Sequence, residues 1–355
     1  MIKKIKATTE KCSNCGFNMV FDPEKHCLSC PACSYKETLS SKPGLNKHLL
    51  NDNDENLNKE NESWGKQMKL LSCQNCGASS ILKSFQTATT CSYCNSPLID
   101  ENKHYSGLRP DAIIPFQFGK DKAQQLFQEK LRKKWFLPIG FKNQTINSEM
   151  HAYYFPSFVF DANCLTTYDG RLYKNIETKN SDGFTETTKK YFNINGTKES
   201  HHKNIMIEAS NHLDQHELES IEPFDLKQAK NYMDEYVQGY SLESYNKSVE
   251  DSFEHAKFII KSEIEDLILK KHKHDGVDRL DLNTIYTDKQ YSYCVLPLYR
   301  INYKYKNKNY SNVMNGQTGA LGGKYPKSAL KISLLIIGIA LIVLLPILMF
   351  AMNVL

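Results

Sequence analysis

Eight of the chain's eleven cysteines fall into four Cys-x-x-Cys pairs within the first hundred residues: Cys12 with Cys15, Cys30 with Cys33, Cys73 with Cys76, and Cys91 with Cys94. In each half of this set fourteen residues separate the inner cysteines, and a shift of sixty-one positions lays one half on the other. A Cys-x-x-Cys turn lets two sulfurs converge on one ion, and two such turns close the four-thiolate tetrahedron that zinc takes in structural sites. Each half therefore reads as a zinc ribbon, two knuckles joined by a short hairpin. One structural Zn2+ is expected on Cys12, Cys15, Cys30 and Cys33, and a second on Cys73, Cys76, Cys91 and Cys94. Such ribbons hold few apolar residues, so metal is expected to supply most of their folding free energy, roughly 10–16 kcal/mol of apparent affinity in comparable peptides. Without zinc both are expected to be disordered.

The first half contains a further cysteine, Cys27, which the sixty-one-residue shift sets opposite Ala88 and so leaves without a ligand role. The set Cys12, Cys15, Cys27 and Cys30 competes with it, because a shorter connector also closes a ribbon. Disulfides are the other use of paired cysteines. The first ten residues have a basic start and no apolar h-region, so no secretory signal is expected and the thiols stay in a reducing compartment, where the pattern reads as metal. Cys164 and Cys294 stand in apolar, aromatic surroundings and read as small core residues.

These sites need elements to hold them. Residues 41–66 are mostly Asn, Asp, Glu and Lys, and are expected to form a flexible polar linker that lets the ribbons move independently. Beyond the second ribbon, 112–116 reads as a strand and 121–136 as a helix with Ala123, Leu126, Phe127, Leu131 and Trp135 on one face. Strands follow at 150–160, 165–173 and 187–194, the last ending in an Asn195-Gly196 turn. Helices are expected from Asp225, as cap, to about 237, and from 241 to about 271 with a stripe of Val249, Phe253, Ala256, Ile260, Ile264, Leu267 and Ile268. A hairpin of 291–305 with 309–314 closes the domain. The class is α+β. The expected organisation is ribbon one over 1–40, linker over 41–66, ribbon two over 67–104, an α+β cytoplasmic domain over 105–328 and a tail over 329–355.

That tail holds no charged residue from 332 to 355, longer than the about twenty residues that span a bilayer's hydrocarbon. Pro346 is tolerated in such a helix. The expectation is a single-pass transmembrane tail anchor in the cell membrane. After Asp288 the chain gathers eight Lys and Arg and no acid, with Lys324, Lys327 and Lys331 flanking the apolar run, so the N-terminal region is expected to be cytoplasmic. Arg300, Lys304, Lys306 and Lys308 could also rest on anionic headgroups.

Catalytic signals fail one by one. A phosphate-binding loop ending at Lys324 would need Gly at 318 and Ser or Thr at 325, where Thr318 and Tyr325 stand. His212 is followed by Leu213, so the zinc-protease helix motif is absent, and a metal site on His212 and His216 is disfavoured against a solvated segment. His201 and His202 read as surface. No Gly-x-Ser-x-Gly elbow appears, and no enzyme activity is expected.

The C-terminal motifs Leu296-Pro297-Leu298-Tyr299-Arg300, Tyr303-Lys304-Tyr305, Met314-Asn315-Gly316-Gln317-Thr318-Gly319 and Pro326-Lys327-Ser328, with Ile114-Pro115-Phe116, Tyr154-Phe155-Pro156 and Gly239-Tyr240-Ser241-Leu242-Glu243 upstream, resemble a bacterial family. It is the family of membrane-anchored proteins labelled as transcription-factor-IIB-type zinc ribbons, as primosomal helicase-like or as phage replisome organisers. The likeness runs from the second ribbon to the tail. It implies a role in membrane-stress assemblies, with phage-shock-protein-A-like and SPFH-like partners, and no catalytic residues. Two functions follow as expectations: a non-enzymatic membrane-anchored zinc-ribbon adaptor that recruits cytoplasmic partners, or a tethered nucleic-acid-binding protein. The net charge of +5 over 355 residues and the mixed signs around the ribbons favour the adaptor, since phosphate binding needs clustered Lys and Arg.

Overall fold

The computed structural model describes residues 11–50, 55–83, 90–138, 140–141, 148–179 and 185–353, with the side chains of 345 and 347–353 outside the description. Three short strands, β1 (Val20–Asp22), β2 (Cys27–Ser29) and β3 (Lys36–Thr38), form a small antiparallel sheet. Next come β4 (His48–Leu49), helix α1 (Glu55–Gly65), and strands β5 (Met68–Cys73), β6 (Ser79–Lys83), β7 (Leu98–His104) and β8 (Ala112–Ile113). Helix α2 (Lys120–Arg132) precedes two long strands, β9 (Glu149–Lys179) and β10 (Thr185–Glu208). Then follow α3 (Gln215–Ile221), β11 (Lys230–Asn231), β12 (Ser241–Glu243), α4 (Val249–Leu269), β13 (Gly276–Tyr305), β14 (Lys308–Asn315), β15 (Leu321–Gly323) and α5 (Ala329–Asn353). The chain is mixed α+β.

Among the described residues, β4 to β15 make one twelve-stranded sheet around the spine β11-β8-β13-β9-β12-β6-β5-β7. Its centre is the antiparallel pair β9 and β13. From Tyr153 to Phe160 every residue of β9 is buried, because both faces are covered, and the segment is accordingly an almost unbroken apolar and aromatic run. Tyr154, Phe158 and Phe160 face the core under α4, with Phe253, Ala256, Ile260, Ile264 and Ile268. Tyr153, Phe155 and Val159 face the opposite cluster with Leu218 and Ile221 of α3.

Several expectations need correction. The segment at 41–66 carries β4, which pairs with β13, and α1, whose Trp64 is buried and donates to Asp234. It is no free linker, although the acidic stretch at 51–54 lies outside the described residues. Asn195 and Gly196 do not turn: both sit inside β10, paired with Asp169 and Tyr168. A Cβ on Gly196 would meet the Tyr168 hydroxyl at 2.9 Å, so this glycine is there for a cross-strand ring. Between 224 and 237 two short 3-10 turns flank β11, which pairs with β8, and Asp225 caps the first of them by accepting from Lys227. The helix expected from 241 starts at Val249 behind a Ser248 cap, because Leu242 is taken by the sheet. His202 is buried between Glu263 and Ser200. Trp135 lies beyond the end of α2 and is 59% exposed instead of joining its apolar stripe.

The transmembrane anchor also lacks support at this level. Among the described residues no helix is long and apolar enough to cross a membrane. Helix α5 is apolar from Ile332 onward, with Pro346 inside it.

Candidate metal centres

Each four-cysteine group is built from two copies of one turn. In the first, Gly16 donates its N–H to the Cys12 carbonyl at 2.8 Å and Ser34 donates to that of Cys30 at 2.9 Å. In the second, Gly77 and Asn95 do the same for Cys73 and Cys91, at 2.8 and 3.0 Å. All four donors have left-handed backbones, with φ of 73°, 60°, 78° and 60°, which explains a Gly or a small polar residue at that step. The turns wrap the chain so that the two sulfurs of each pair point inward.

Within each group the ligand atoms all lie within 4.8 Å of one another. Cys12 and Cys33 sulfurs are 3.5 Å apart, Cys15 and Cys30 3.5 Å, Cys73 and Cys94 3.4 Å, and Cys76 and Cys91 3.6 Å. A tetrahedron with metal–sulfur bonds of about 2.3 Å has edges of about 3.8 Å, so these sulfurs are close to the spacing that one ion would set. Each group can hold a metal ion. The backbone N–H of Tyr35 leads the interactions that lower the Cys33 thiol to about 6. Cys94 is also lowered to about 6: burial works to raise it, and Ser96 and Asn75 overcome this. Such donors are the supports a thiolate ligand needs. Cys27 stands outside the first group, buried in β2 opposite Asp22 and Thr38, with its thiol pushed up by that burial. Cys164 and Cys294 are buried core residues. Among the described residues these two cysteine groups are the clusters that could hold a metal ion, and His212 and His216 join neither.

The groups are not free modules. In the first ribbon, Phe21 donates its N–H to Gln238 at 3.0 Å and packs edge-on against Tyr236 at 5.2 Å, while His26 reaches Gln117 at 3.3 Å. In the second, β6 pairs with β12 and thereby joins the main sheet. Its outer knuckle is fixed by a buried network that sequence reasoning missed. Tyr93, between Cys91 and Cys94, donates its hydroxyl to Glu243, which is 2% exposed. Ser210 donates to the same carboxylate, and His212 meets it at 3.0 Å. The other ring nitrogen of His212 lies 3.3 Å from the Cys76 carbonyl, and the Glu243 hydrogen bond raises this histidine above its ordinary value against partial burial. Arg300, which the sequence offered either to anionic headgroups or to a solvated strand face, lays its guanidinium 4.7 Å from the Tyr93 ring centre. Ser210, His212 and Glu243 thus form a brace: the serine is fully buried and its hydroxyl is spent on the carboxylate. Only the position of Tyr93 inside a knuckle was a sequence signal, and it named no partner.

Fold and site together define an α+β protein with two four-cysteine groups near its N-terminus, each able to hold a metal ion. The chain is similar to the uncharacterized protein YdjG of Bacillus subtilis (strain 168), with 29% identity over 341 residues, 93% of each chain. The likeness therefore runs over nearly the whole chain. No protein-family model matches the chain, and no solved structure matches it.

Proposed function

We propose that this chain is a non-enzymatic, membrane-anchored zinc-ribbon adaptor that brings cytoplasmic proteins to the membrane. The reading rests on one arrangement: two four-cysteine clusters on one body, whose C-terminal end runs into a helix with apolar, exposed side chains. Four thiolates without an open coordination position suit a structural zinc, not a hydrolytic one. The knuckle tips offer contact surface, with Phe17 53% exposed and Cys15 open to solvent. Beside the second group a groove of about 560 Å3, lined in part by Asn75, Cys94, Asn302 and Ser311, gives room for a partner segment. Ribbon lysines are partly spent on neighbouring acids, Lys25 on Asp22 and Lys69 on Asp100, which weakens the case for a phosphate-binding surface. The uncharged run from 332 to 355 argues for a single span with the N-terminal region cytoplasmic. The resemblance to membrane-stress proteins favours phage-shock-protein-A-like and SPFH-like partners.

The test is crosslinking and pull-down from native membranes. The full-length chain is expected to stay in the membrane pellet after a high-salt wash and to recover a cytoplasmic protein that Cys91→Ser loses. Its affinity for duplex or single-stranded DNA should be no tighter than about 10⁻⁴–10⁻⁶ M at physiological salt. Nanomolar, salt-sensitive DNA binding with no protein recovered would replace the adaptor by the nucleic-acid reading.

A further inference from the structure

The loop after α2 is tied to the foot of α5. Lys331 sends its Nζ to the carbonyls of Trp135 and Leu137, both at 2.8 Å, and the Ser328 N–H donates to the Phe136 carbonyl at 2.7 Å. Three consecutive carbonyls just past a helix C-terminus thus find their donors on the segment that starts the apolar helix, and the ammonium also suits the negative end of α2. The Lys134 ammonium lies 5.2 Å from the Tyr325 ring centre, a second tie between the same two segments. This clamp holds Trp135 beside Lys331, one residue before the uncharged run begins. The indole is 59% exposed and, among the described residues, meets one other ring, that of Phe136, edge-on at 5.0 Å. The same two segments carry exposed cations: Arg132 at the end of α2, Lys133 and Lys134 just after it, and Lys324 and Lys327 on the approach to α5, with Lys133 paired to Glu129.

An exposed tryptophan tied to the foot of an apolar helix, on segments rich in exposed cations, has the composition of a membrane interface, where indoles sit at headgroup level and Lys or Arg meet anionic lipid. We propose that the loop at 132–137 is a second membrane-contacting element, a collar that seats Trp135 among the headgroups of an anionic bilayer beside the point where α5 enters. This rests on the anchoring reading above. It adds that the body is held at a fixed height and tilt, with the loop as its second foot.

The experiment uses the full-length chain in vesicles of phosphatidylcholine and phosphatidylglycerol that carry brominated acyl chains. The chain has two tryptophans, and Trp64 is buried in the core, so a quenched component reports Trp135. Brominated lipid is expected to quench about half of the emission, Trp135→Phe to abolish that quenching, and Arg132→Gln with Lys134→Gln to reduce it when phosphatidylglycerol is present. Trp64→Phe provides the same reading from Trp135 alone. A chain that floats with the vesicles while Trp135 stays unquenched and open to aqueous iodide would overturn the collar and leave the anchor standing. A chain that does not float at all would remove the anchor, and the collar with it.

Discussion

Cys27 and Cys33 show what a single cysteine contributes to the first metal group. The Cys33 sulfur closes the group against Cys12, whereas the Cys27 thiol is buried in a strand away from it. Cys27→Ser should therefore leave two metal ions per chain and Cys33→Ser should leave one, read by elemental analysis of protein dialysed against buffer. One ion on Cys27→Ser and two on Cys33→Ser would move the ligand set to the shorter register. The cysteine geometry was legible in the sequence because ligand spacing is local: each turn is written within five residues. The brace behind it was not, because the Tyr93 to Glu243 bond joins residues 150 apart and neither residue type announces the other. Removing that carboxylate strands a buried Ser and a half-buried Tyr and His together. Glu243→Ala is expected to cost about 3–5 kcal/mol, by the rule for breaking one side of a buried polar cluster. The check is the urea midpoint of metal-loaded protein.

At the scale of elements, α4 was the most legible part of the chain and also shows where legibility ends. Its stripe at i, i+3, i+4 and i+7 fixed the buried face, and Phe253, Ala256, Ile260, Ile264 and Ile268 are all buried against the sheet. The start was misjudged because Leu242 and Glu243 fit a helix pattern as readily as a strand, and only their partners in β6 and β9 decide. Ser248 accepts from the Asp251 N–H at 3.0 Å, the bond that sets the true start. Ser248→Ala should cost about 1 kcal/mol, and Ile264→Ala about 2–5 kcal/mol through the cavity it leaves. Leu267→Ala, on the outer edge of the stripe, should stay within about 0.5 kcal/mol. Urea melts of the three variants give the comparison, and equal losses at Ile264 and Leu267 would contradict the assigned face. The long strands were read as several short ones for a related reason. Polar stretches in β9 and β10 look like turns until their cross-strand partners are known, as Gly196 under Tyr168 shows.

For the whole molecule, the decisive fact is that the ribbons share the core. Cys12, Met19, Phe21, Leu28 and Cys30 belong to the same buried cluster as Tyr154, Phe158 and Ile260, and β5, β6 and β7 continue the main sheet. Composition pointed instead to independent modules, because the polar stretch at 41–66 hides a strand pairing and the single buried indole of Trp64. If the ribbons were separate, removing metal would melt them alone and leave the sheet's stability unchanged. With the second group wired into Glu243 and β12, unfolding that knuckle must expose Tyr93 and the face of the sheet beneath it, so the loss travels into the body. The expected result is one cooperative transition by calorimetry for the full-length protein in detergent. That transition should move down by several degrees when a strong chelator strips both ions, as a loss of a few kcal/mol does in a domain of this size. Cys91→Ser, which frees the knuckle carrying Tyr93, should reproduce more of that shift than Cys15→Ser, whose side chain faces solvent. Two resolved transitions, with the upper one indifferent to metal, would return the ribbons to independence and make the buried brace a local detail.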